Sequence, residues 1–542
     1  MNSKSNKKYF IGIDVGTGSA RAGVFDSSGT CLGVGKKTTT LYRDTGHIVE
    51  QSSDDIWSAV CHSVKDAVKA ADIDVKHVVG IGFDATCSLV VIGADNKPMP
   101  VGSSGDSKRN IMVWMDHRAA EQATRINATK HRVLDYVGGV ISPEMETPKL
   151  LWLKENQSDI FNNAKHFFDL TDFLTWKASD DLARSVCTVS CKWTYMAHEQ
   201  SWDKSYFDEI GLSELSDNNF ERIGSKIVDA GTSLGDGLTK VAAKELGLLK
   251  GIPVAAGLID AHAGGVGTIG AASGDGSPTS RMAYVFGTSA CTMSSSEKEA
   301  FVPGVWGPYF SAMVPGLWLS EGGQSAAGEA IAHLLKLHPS YASASIEAKY
   351  MGYTLPDYLL HLIDKKDLAP SDVVSLAKQL VVVPEFLGNR APFADPNARA
   401  IISGLSLNTS VDSLVGLYVA GIVGLGYGLR QILNVQAENG VTPDTVVMSG
   451  GAGENSLVRQ LIADSANIIV TGPGSEEPVL LGAAMLGAVA GNAHPTLKDA
   501  MSTMSSLGDV FTPSKGSVSE LHTRRFEAFE ALQAASKLIH EE

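Results

Sequence analysis

Three glycine clusters, each directly after a strand-like apolar run, constrain the fold of this chain more than any other feature of its sequence. They read IGIDVGTGSARAGVFD at 11–26, YVFGTSAC at 284–291 and VVMSGGAGEN at 446–455. Glycine allows left-handed backbone and close approach to a ligand, and consecutive free N–H groups in such turns bind anions. Taken alone, each cluster is also compatible with an ordinary hairpin turn. The first two, in opposite halves of the chain, together predict a pair of loops that hold phosphates from both sides of a cleft.

The third cluster differs from the common nucleotide-binding motifs. It is not GxGxxG, and no GxxxxGK[ST] occurs in the chain, so the Rossmann and P-loop interpretations lack their fingerprint. A predicted helix from Ser456 follows it, and a helix N-terminus favours negative charge. Its glycines let the backbone lie flat against a planar group. Asp14, at the end of the first strand, is predicted to hold Mg²⁺ directly or through water.

The length of the chain predicts more than one domain. Single hydrophobic cores stop growing near roughly 250–300 residues, and this chain has 542. Strand-like runs alternate with helical patterns from end to end, which indicates an α/β fold. The segment AASGDGSPTS at 271–280 is small, polar and contains proline, so it predicts a boundary loop. We expect an N-terminal domain at 8–270, a C-terminal domain at 281–490 and a helical C-terminal cover at 491–542.

Composition excludes several classes of function. Lys and Arg total 45 and Asp and Glu total 60, a net charge of −15, which argues against nucleic-acid and membrane-surface partners. The first residues have no apolar signal segment, and the apolar stretch at 414–429 is short for a membrane span and rich in glycine, so we expect a packed helix. Six cysteines in so long a chain cannot form a disulfide framework. Cys187 and Cys191 have no nearby His partner in sequence and are expected to be small buried residues. We expect a cytoplasmic protein.

Several further motifs carry a family resemblance. They are LIDAHAGGVG at 258–267, SEGGQSAAG at 320–328 and FLGNRA at 386–391, which occur beside IGIDVGTGS and GGAGEN. With these motifs the chain resembles the actin/sugar kinase/Hsp70 superfamily and, more narrowly, the FGGY family of carbohydrate kinases over residues 8–490. The resemblance implies two actin-like, ribonuclease H-like α/β domains that flank a deep catalytic cleft. It also implies that the N-terminal domain holds the sugar and the C-terminal domain holds ATP.

Asp260 is the candidate general base. It follows a predicted strand at 253–256 and precedes AHAGG, so we expect it on a loop at the end of a strand. An alternative interpretation makes it the N-cap of a helix, and the two roles can coexist. The resemblance of this segment to the family's catalytic-base segment favours a role in accepting the proton of a sugar hydroxyl.

The resemblance implies sugar-binding residues in both halves. The segment IGFDATCSLVV at 81–91 resembles that of ribulose-phosphorylating members and departs from the SGQMHG-like segment of xylulose kinases and from the Arg-Glu pair of glycerol kinases. For Lys192 a surface position, and for Glu321 a loop-capping role, remain alternatives; Asp116, in VWMDHR, is assigned to the sugar or to the metal. The implied sugar-binding set is Asp84, Ala85, Thr86, Cys87, Asp116, Lys192, Asp260 and Glu321.

The implied nucleotide-binding residues lie in the glycine clusters and one further loop. We expect the two turns to face the phosphates and the third cluster to hold adenosine. For Asn389, Arg390 and Asp395 we expect a hinge or loop-fixing role. The implied ATP-binding set is Gly16, Thr17, Gly18, Ser19, Gly287, Thr288, Ser289, Gln324, Gly450, Gly451 and Asn455.

The leading interpretation is an ATP- and Mg²⁺-dependent pentulose kinase that converts D-ribulose to its 5-phosphate. L-ribulose, D-xylulose or ribitol are alternative sugars, because the sequence does not fix the pocket's stereochemistry. A nucleotide-driven binding protein of the Hsp70/actin kind is the alternative of another class. Small-molecule sugar and ATP are the expected partners, and a homodimer is compatible with the resemblance.

Overall fold

The computed structural model describes residues 7–102, 104–272 and 277–540. Two seven-stranded sheets form the centres of two lobes, and smaller sheets accompany them. The strands up to residue 259 are β1 (Tyr9–Gly16), β2 (Ser19–Phe25), β3 (Cys31–Thr38), β4 (Tyr42–Asp44), β5 (Ile48–Gln51), β6 (Val78–Ala85), β7 (Leu89–Gly93), β8 (Ile111–Met112), β9 (Ala164–Asp169), β10 (Arg184–Ser185), β11 (Ile227–Val228), β12 (Ser233–Leu234), β13 (Val254–Ala255) and β14 (Leu258–Ile259). The helices up to residue 269 are α1 (Ser53–Ala71), α2 (Ala120–Thr129), α3 (Glu146–Asn156), α4 (Ser158–Asn163), α5 (Leu170–Ser179), α6 (Val186–Trp193), α7 (Lys204–Glu209), α8 (Lys240–Leu246) and α9 (Asp260–Ile269).

The second half of the chain has the same mixture of elements. Its strands are β15 (Arg281–Phe286), β16 (Ala290–Ser296), β17 (Trp306–Phe310), β18 (Trp318–Gln324), β19 (Val381–Val383), β20 (Ile401–Ser403), β21 (Thr445–Ser449), β22 (Ile469–Pro473) and β23 (Leu507–Phe511). Its helices are α10 (Gly328–Lys336), α11 (Tyr341–Tyr350), α12 (Leu355–Asp364), α13 (Val411–Glu438), α14 (Ser456–Ala466), α15 (Pro478–Ala490), α16 (Leu497–Met504) and α17 (Ser517–His540).

The two large sheets share one topology. In the N-terminal lobe the order is β12-β13-β6-β1-β2-β3, with β14 also paired to β6; in the C-terminal lobe it is β17-β18-β16-β15-β21-β22-β23. Each lobe has a first strand that pairs antiparallel with the second and parallel with a later one, β6 for β1 and β21 for β15. The predicted two-lobed α/β architecture is confirmed. Residues 273–276 of the predicted boundary loop lie outside the described residues.

Helix α15 packs on the lobe opposite to the one its sequence position indicates. A Cβ built at Gly82 on β6 would lie 2.0 Å from the carbonyl oxygen of Ala483, and one at Gly482 would lie 2.0 Å from that of Ala263 on α9. Backbone on both sides is therefore in direct contact. The predicted boundary at 490 assigns α15 to the C-terminal domain, whereas the helix covers β1 and β6 of the N-terminal lobe and pairs with α9.

The C-terminal cover is not purely helical. Strand β23 pairs antiparallel with β22 and forms the edge of the C-terminal sheet. Its burial pattern is mostly exposed, which explains why no apolar alternation marked it in the sequence. The predicted helix at 521–539 is present as part of α17.

The longest apolar segment forms α13, which has 28 residues. Among the described residues it is the one helix long and apolar enough to span a membrane, and 78% of its most apolar window is buried inside the protein. Its glycines bring it against neighbouring backbone: a Cβ at Gly424 would lie 2.2 Å from the carbonyl oxygen of Val382. The predicted packing role of these glycines is confirmed, although the helix is longer than the apolar stretch indicated.

We predict that Gly82→Ala lowers the free energy of unfolding by about 1–3 kcal/mol or more, because the added methyl meets backbone oxygen that cannot rotate away. Urea denaturation measures the change. Gly508→Ala is the matched control: its nearest neighbour would be 3.6 Å away, and we expect less than about 0.5 kcal/mol. Equal stability of the two variants would contradict the close contact of α15 with β6.

Candidate active site

The first hairpin turn joins β1 to β2. Gly16 pairs with Ser19 across the turn, so Thr17 and Gly18 form a two-residue tip. Trp114 Nε1 donates to the Thr17 hydroxyl oxygen at 3.0 Å. Because a hydroxyl both accepts and donates, the Thr17 O–H remains able to donate to a phosphate oxygen.

The second turn joins β15 to β16 in the other lobe. The Gly287 N–H donates to the Ser289 carbonyl at 2.9 Å, and Thr288 lies exposed at the tip. The Thr288 carbonyl accepts the Ala327 N–H at 2.9 Å, just before α10 begins, which fixes the turn against that helix. Both turns therefore form where the sequence predicts them, at the same place in each sheet.

Three carboxylates meet at the carboxyl ends of neighbouring parallel strands. Asp14 on β1 lies opposite Asp84 on β6, and Leu258, two residues before Asp260, lies opposite Asp84 on the other side. Burial, and then the charges of Asp14 and Asp260, raise the pKa of Asp84 well above its usual value. Both Asp84 oxygens are buried and have no hydrogen-bond partner in the described chain. Because unpaired buried carboxylates are costly, this cluster is suited to an incoming donor or cation.

Asp260 is the first residue of α9, directly after β14, and Ile259 is the N-cap. This corrects both the predicted loop position and the alternative N-cap role, since the helix already includes residue 260. Asp260 Oδ1 accepts the Ala261 N–H at 2.8 Å. Burial, and then the charge of Asp14, raise the pKa of Asp260 to about 6. A carboxyl group with this pKa is ionised at neutral pH and still basic enough for general-base chemistry.

Asp260 interacts with residues beside both hairpin turns. Asp14, two residues before the first turn begins at Gly16, acts on the pKa of Asp260. Cys291 follows the second turn. Burial raises its pKa to about 11, and the charges of Glu321 and then of Asp260 add to this rise while Arg390 opposes it. Residues beside both turns therefore interact electrostatically with the same carboxylate, and α9, which begins at Asp260, packs against both β1 and β16.

Lys192 and Glu321 face one another from different lobes. Lys192, near the end of α6, is buried, and its Nζ lies 5.6 Å from the centroid of the Trp306 ring. Burial acts to lower the pKa of this ammonium, but the acidic groups around it, Cys87 first and then Glu321, raise it well above its ordinary value. Glu321 on β18 pairs with Trp306 on β17. A buried cation and a carboxylate thus border the same space, as sugar hydroxyls require.

The residues at the carboxyl end of β6 form a further wall of this space. Residues 84–87 are all at most 9% exposed. The Thr86 N–H donates to the Val15 carbonyl at 3.0 Å, and the Thr86 hydroxyl lies 3.5 Å from that of Ser88. The segment is rigid because β1 and β14 both hold it.

Beside this space, Trp306 was missed by the sequence analysis, and Arg390 has a role beyond the one predicted for it. The Trp306 ring contacts two cations. The Arg390 guanidinium lies 5.5 Å from the ring centroid, and Lys192 Nζ lies 5.6 Å from it. No sequence pattern marked Trp306. The loop-fixing role predicted for Asn389 and Asp395 is confirmed, because their backbones exchange hydrogen bonds of 2.8 Å. Arg390 instead points its charge at the site.

A buried chain of side chains brackets Asp260. Cys187 Sγ lies 3.0 Å from His262 Nδ1 and accepts the Ile259 N–H at 3.4 Å. His262 Nε2 lies 3.3 Å from Glu321 Oε2. One sulfur atom therefore holds the residues on both sides of Asp260, and the imidazole continues the chain to the opposite lobe.

This chain is charged. Burial acts to lower the pKa of His262, but Cys187 and Glu321 raise it. Although burial acts to raise the pKa of Glu321, His262 and Lys192 lower it to about 2. Although burial acts to raise the pKa of Cys187, contacts with Cys191 and His262 lower it. All three shifts therefore favour the charged forms of the thiol, the imidazole and the carboxyl group. Cys187 and Cys191 are buried, as predicted. The fold adds a contact that their sequence neighbourhood did not indicate, with His262 from 75 residues along the chain.

The Asp116 carboxylate forms hydrogen bonds within the N-terminal lobe rather than with a ligand. Its Oδ2 accepts the Val49 N–H at 2.7 Å, and its Oδ1 accepts the Arg118 N–H at 3.0 Å. The Arg118 guanidinium also contacts both oxygens, at 2.6 to 3.0 Å. The predicted contact with sugar or metal is corrected, because these four donors occupy the carboxylate.

The side-chain amide of Gln324 likewise forms hydrogen bonds inside the C-terminal lobe. The Tyr284 hydroxyl donates to its Oε1 at 2.7 Å, and its Nε2 donates to the Leu425 carbonyl at 2.9 Å. The predicted approach of this side chain to the nucleotide is therefore corrected.

The third glycine cluster packs beside the second turn. Gly450 has a φ of +92°, and a Cβ there would lie 2.5 Å from the carbonyl oxygen of Phe286, so only glycine fits. Asn455 is the N-cap of α14, and its Oδ1 accepts the Leu457 N–H at 2.9 Å. Asn455 also borders a cavity of about 560 Å³ whose apolar wall includes Leu457 and Phe511. This cavity is large enough for a planar base.

We predict that His262→Gln raises the KM for sugar by about 10–100-fold, because a hydrogen bond to a charged group contributes about 1.5–3 kcal/mol. The KM for ATP should change less than threefold. Steady-state kinetics with each substrate varied in turn measure the split. His77→Gln, whose ring contacts Tyr9 away from the site, is the control. Parallel increases in both KM values would assign His262 a general structural role instead.

Two family models match the chain in order. The N-terminal domain of the FGGY family of carbohydrate kinases matches residues 9–267, and its C-terminal domain matches residues 282–491. The xylulose kinase from Rhodospirillum rubrum has a similar fold, with a TM-score of 0.80 and 20% identity over 99% of this chain and 100% of that chain.

Curated relatives agree over nearly the whole length. A human FGGY carbohydrate kinase domain-containing protein is 46% identical over 94% of this chain and 93% of its own. A D-ribulokinase from Saccharomyces cerevisiae is 39% identical over 89% of this chain and 72% of its own. The two matched domain models together include the carboxylates and both turns. This chain therefore belongs to the FGGY family of carbohydrate kinases.

Proposed function

We propose that this ATP-dependent sugar kinase phosphorylates D-ribulose at its 5-hydroxyl and yields D-ribulose 5-phosphate and ADP. One observation carries the proposal: Asp260, with its pKa raised to about 6, begins α9, and this helix packs against β1, the strand before the first turn, and β16, the strand after the second. The yeast relative named a D-ribulokinase supports the choice of sugar.

Different residues have different roles in phosphoryl transfer. Asp260 accepts the proton of the sugar hydroxyl as that oxygen attacks the γ-phosphorus and the bond to the β-phosphate oxygen breaks. Lys192 and Glu321 hold other hydroxyls, so the attacking oxygen is oriented before reaction. The turns at Thr17 and Thr288 donate to the phosphates, and the cavity beside Asn455 receives the base.

Asp14 and Asp84 fit a magnesium ion. Asp14 uses one oxygen, Oδ2, for Arg21 at 2.7 and 2.9 Å, and both Asp84 oxygens are unpartnered in the described chain. Mg²⁺ prefers oxygen ligands and completes its shell with phosphates and water. Among the described residues no group of three His, Cys, Asp or Glu is arranged to hold a metal, so such additional ligands are needed. When bound, the ion would offset the charge of the phosphate oxygens.

The described cysteines support a reducing location. All six are free thiols. Disulfides are rare where glutathione and thioredoxin keep thiols reduced. We therefore include a cytoplasmic location in the proposal.

We predict that Asp260→Asn lowers kcat by about 10²–10⁴-fold with a modest change in sugar KM, because the amide cannot accept the proton. In the parent enzyme kcat should fall as the pH drops below about 6, since Asp260 must be deprotonated to act. Rates from pH 5 to 8 measure both effects. Asp208→Asn, on the exposed face of α7, is the control. Near-parental turnover by Asp260→Asn would remove Asp260 from this role.

We predict that D-ribulose gives the highest kcat/KM among D-ribulose, L-ribulose, D-xylulose, ribitol and glycerol. Sugar-stimulated ADP release measures the panel, and Lys192→Met should raise the KM for the preferred sugar at least about tenfold. Preference for another pentulose would change the proposed substrate and leave the proposed kinase activity unchanged. Stimulation by none of them would favour a nucleotide-driven binding protein.

A further inference from the structure

A separate cavity of about 660 Å³ lies between the lobes. Its N-terminal wall comes from the segment after α6 and from the residues around β11, while Phe310 and Ser311 at the end of β17 close it from the C-terminal lobe. Within the part of the chain that the structure describes, none of its lining residues belongs to the candidate active site. The proposed phosphoryl transfer does not use it.

Aromatic rings form one wall of this cavity. The Trp202 ring centroid is 5.0 Å from that of Tyr195 and 5.6 Å from that of Phe220, which is stacked on it. Trp202 Nε1 donates to the Gly224 carbonyl at 2.9 Å, so the indole is fixed in place. Rigid aromatic surfaces carry a negative face that attracts the C–H groups of a polyol.

Polar groups line the rest of the cavity. The Asp229 carboxylate, the Tyr195 hydroxyl and the amides of Gln200 and Asn219 all border it, and Gln200, Asn219 and Asp229 are exposed and therefore accessible to a ligand. Desolvation by neighbouring protein atoms raises the pKa of Asp229, although the residue remains exposed at the surface of the cavity. Donors and acceptors of this kind, around an aromatic wall, suit the hydroxyls of a small ligand.

The charges of the cavity exclude anionic ligands. Its lysine, Lys226, is already paired with Asp181, with 2.8 Å between Nζ and Oδ2. Asp229 has no such counter-charge in the described lining. A phosphate, a nucleotide or a sugar phosphate would therefore meet repulsion, whereas an uncharged sugar would not.

The cavity wall also contains strained backbone. Gln200, Asn219, Phe220 and Ser311 have φ values of +53°, +58°, +59° and +57°. Residues with side chains rarely adopt this conformation, and a bulky one such as Phe220 least of all. Such outliers cluster at ligand sites, and here three separate segments from both lobes contribute them to one cavity.

We propose that this cavity is a second carbohydrate site, which binds one uncharged sugar or polyol separately from the sugar that is phosphorylated. Its occupant would contact both lobes and would thereby stabilise their relative arrangement. The inference rests on the chemistry of the cavity and does not depend on which pentulose is the substrate.

Equilibrium dialysis of labelled D-ribulose and ribitol without ATP tests the proposal on the full chain. We expect two molecules per chain for the parent and one for Asp229→Asn and for Trp202→Ala, whose affinity at this site should fall about tenfold or more. Lys192→Met, at the active site, should retain the second site alone. D-ribulose 5-phosphate should not compete there.

Matched variants distinguish loss of the second site from loss of folding. Asp217→Asn, an exposed acid on the same segment but outside the lining, should bind like the parent. Tyr195→Phe replaces Trp202→Ala if the latter fails to fold, and it removes only the hydroxyl. Binding of one equivalent or none by the parent, unchanged by Asp229→Asn and Tyr195→Phe, would overturn the second site. A shift in sugar preference at the active site alone would affect only the proposed substrate.

Discussion

Mutual repulsion among Asp14, Asp84 and Asp260, at the ends of adjacent strands and away from bulk water, is the constraint on which the rest of the site depends. Arg21 balances Asp14 through two nitrogens, while Asp84 has no such partner in the described chain. The environment therefore separates Asp84, whose pKa is raised well above its usual value, from Asp260, whose pKa is raised to about 6. Such separation is how one site provides an electrostatic anchor and a proton acceptor at the same pH.

The two lobes contribute unlike groups to one space although their sheets are alike. The N-terminal lobe provides the carboxylates and Lys192, and the C-terminal lobe provides Glu321, Trp306 and Arg390. The link from Cys187 through His262 to Glu321 joins these sets by direct contacts. Because His262 is two residues from Asp260, the position of the base is tied to the lobe that carries Glu321. The site is complete only when both lobes are in place.

Features encoded locally could be predicted from the sequence. The strands at β1, β6, β15 and β21, and the turns after two of them, follow from apolar runs that end in glycine. Contacts made by distant segments could not. Spacing alone does not reveal that Arg118 occupies Asp116, that Cys187 meets His262, or that Trp306 lies between two cations. Whether a polar side chain is free or consumed is decided by tertiary packing, and this explains the errors at Asp116 and Gln324.

The packing of α15 and α16 has a topological consequence. The chain leaves the N-terminal lobe between α9 and β15, returns to it between β22 and α15, and leaves again between α16 and β23. A Cβ at Gly29 would lie 1.9 Å from the carbonyl oxygen of Met504, so α16 is seated firmly on the N-terminal side. Two lobes joined by three covalent crossings cannot slide past one another or separate freely. Any relative movement of the lobes must be shared by all three crossings, and it changes the space that Lys192 and Glu321 border from opposite lobes.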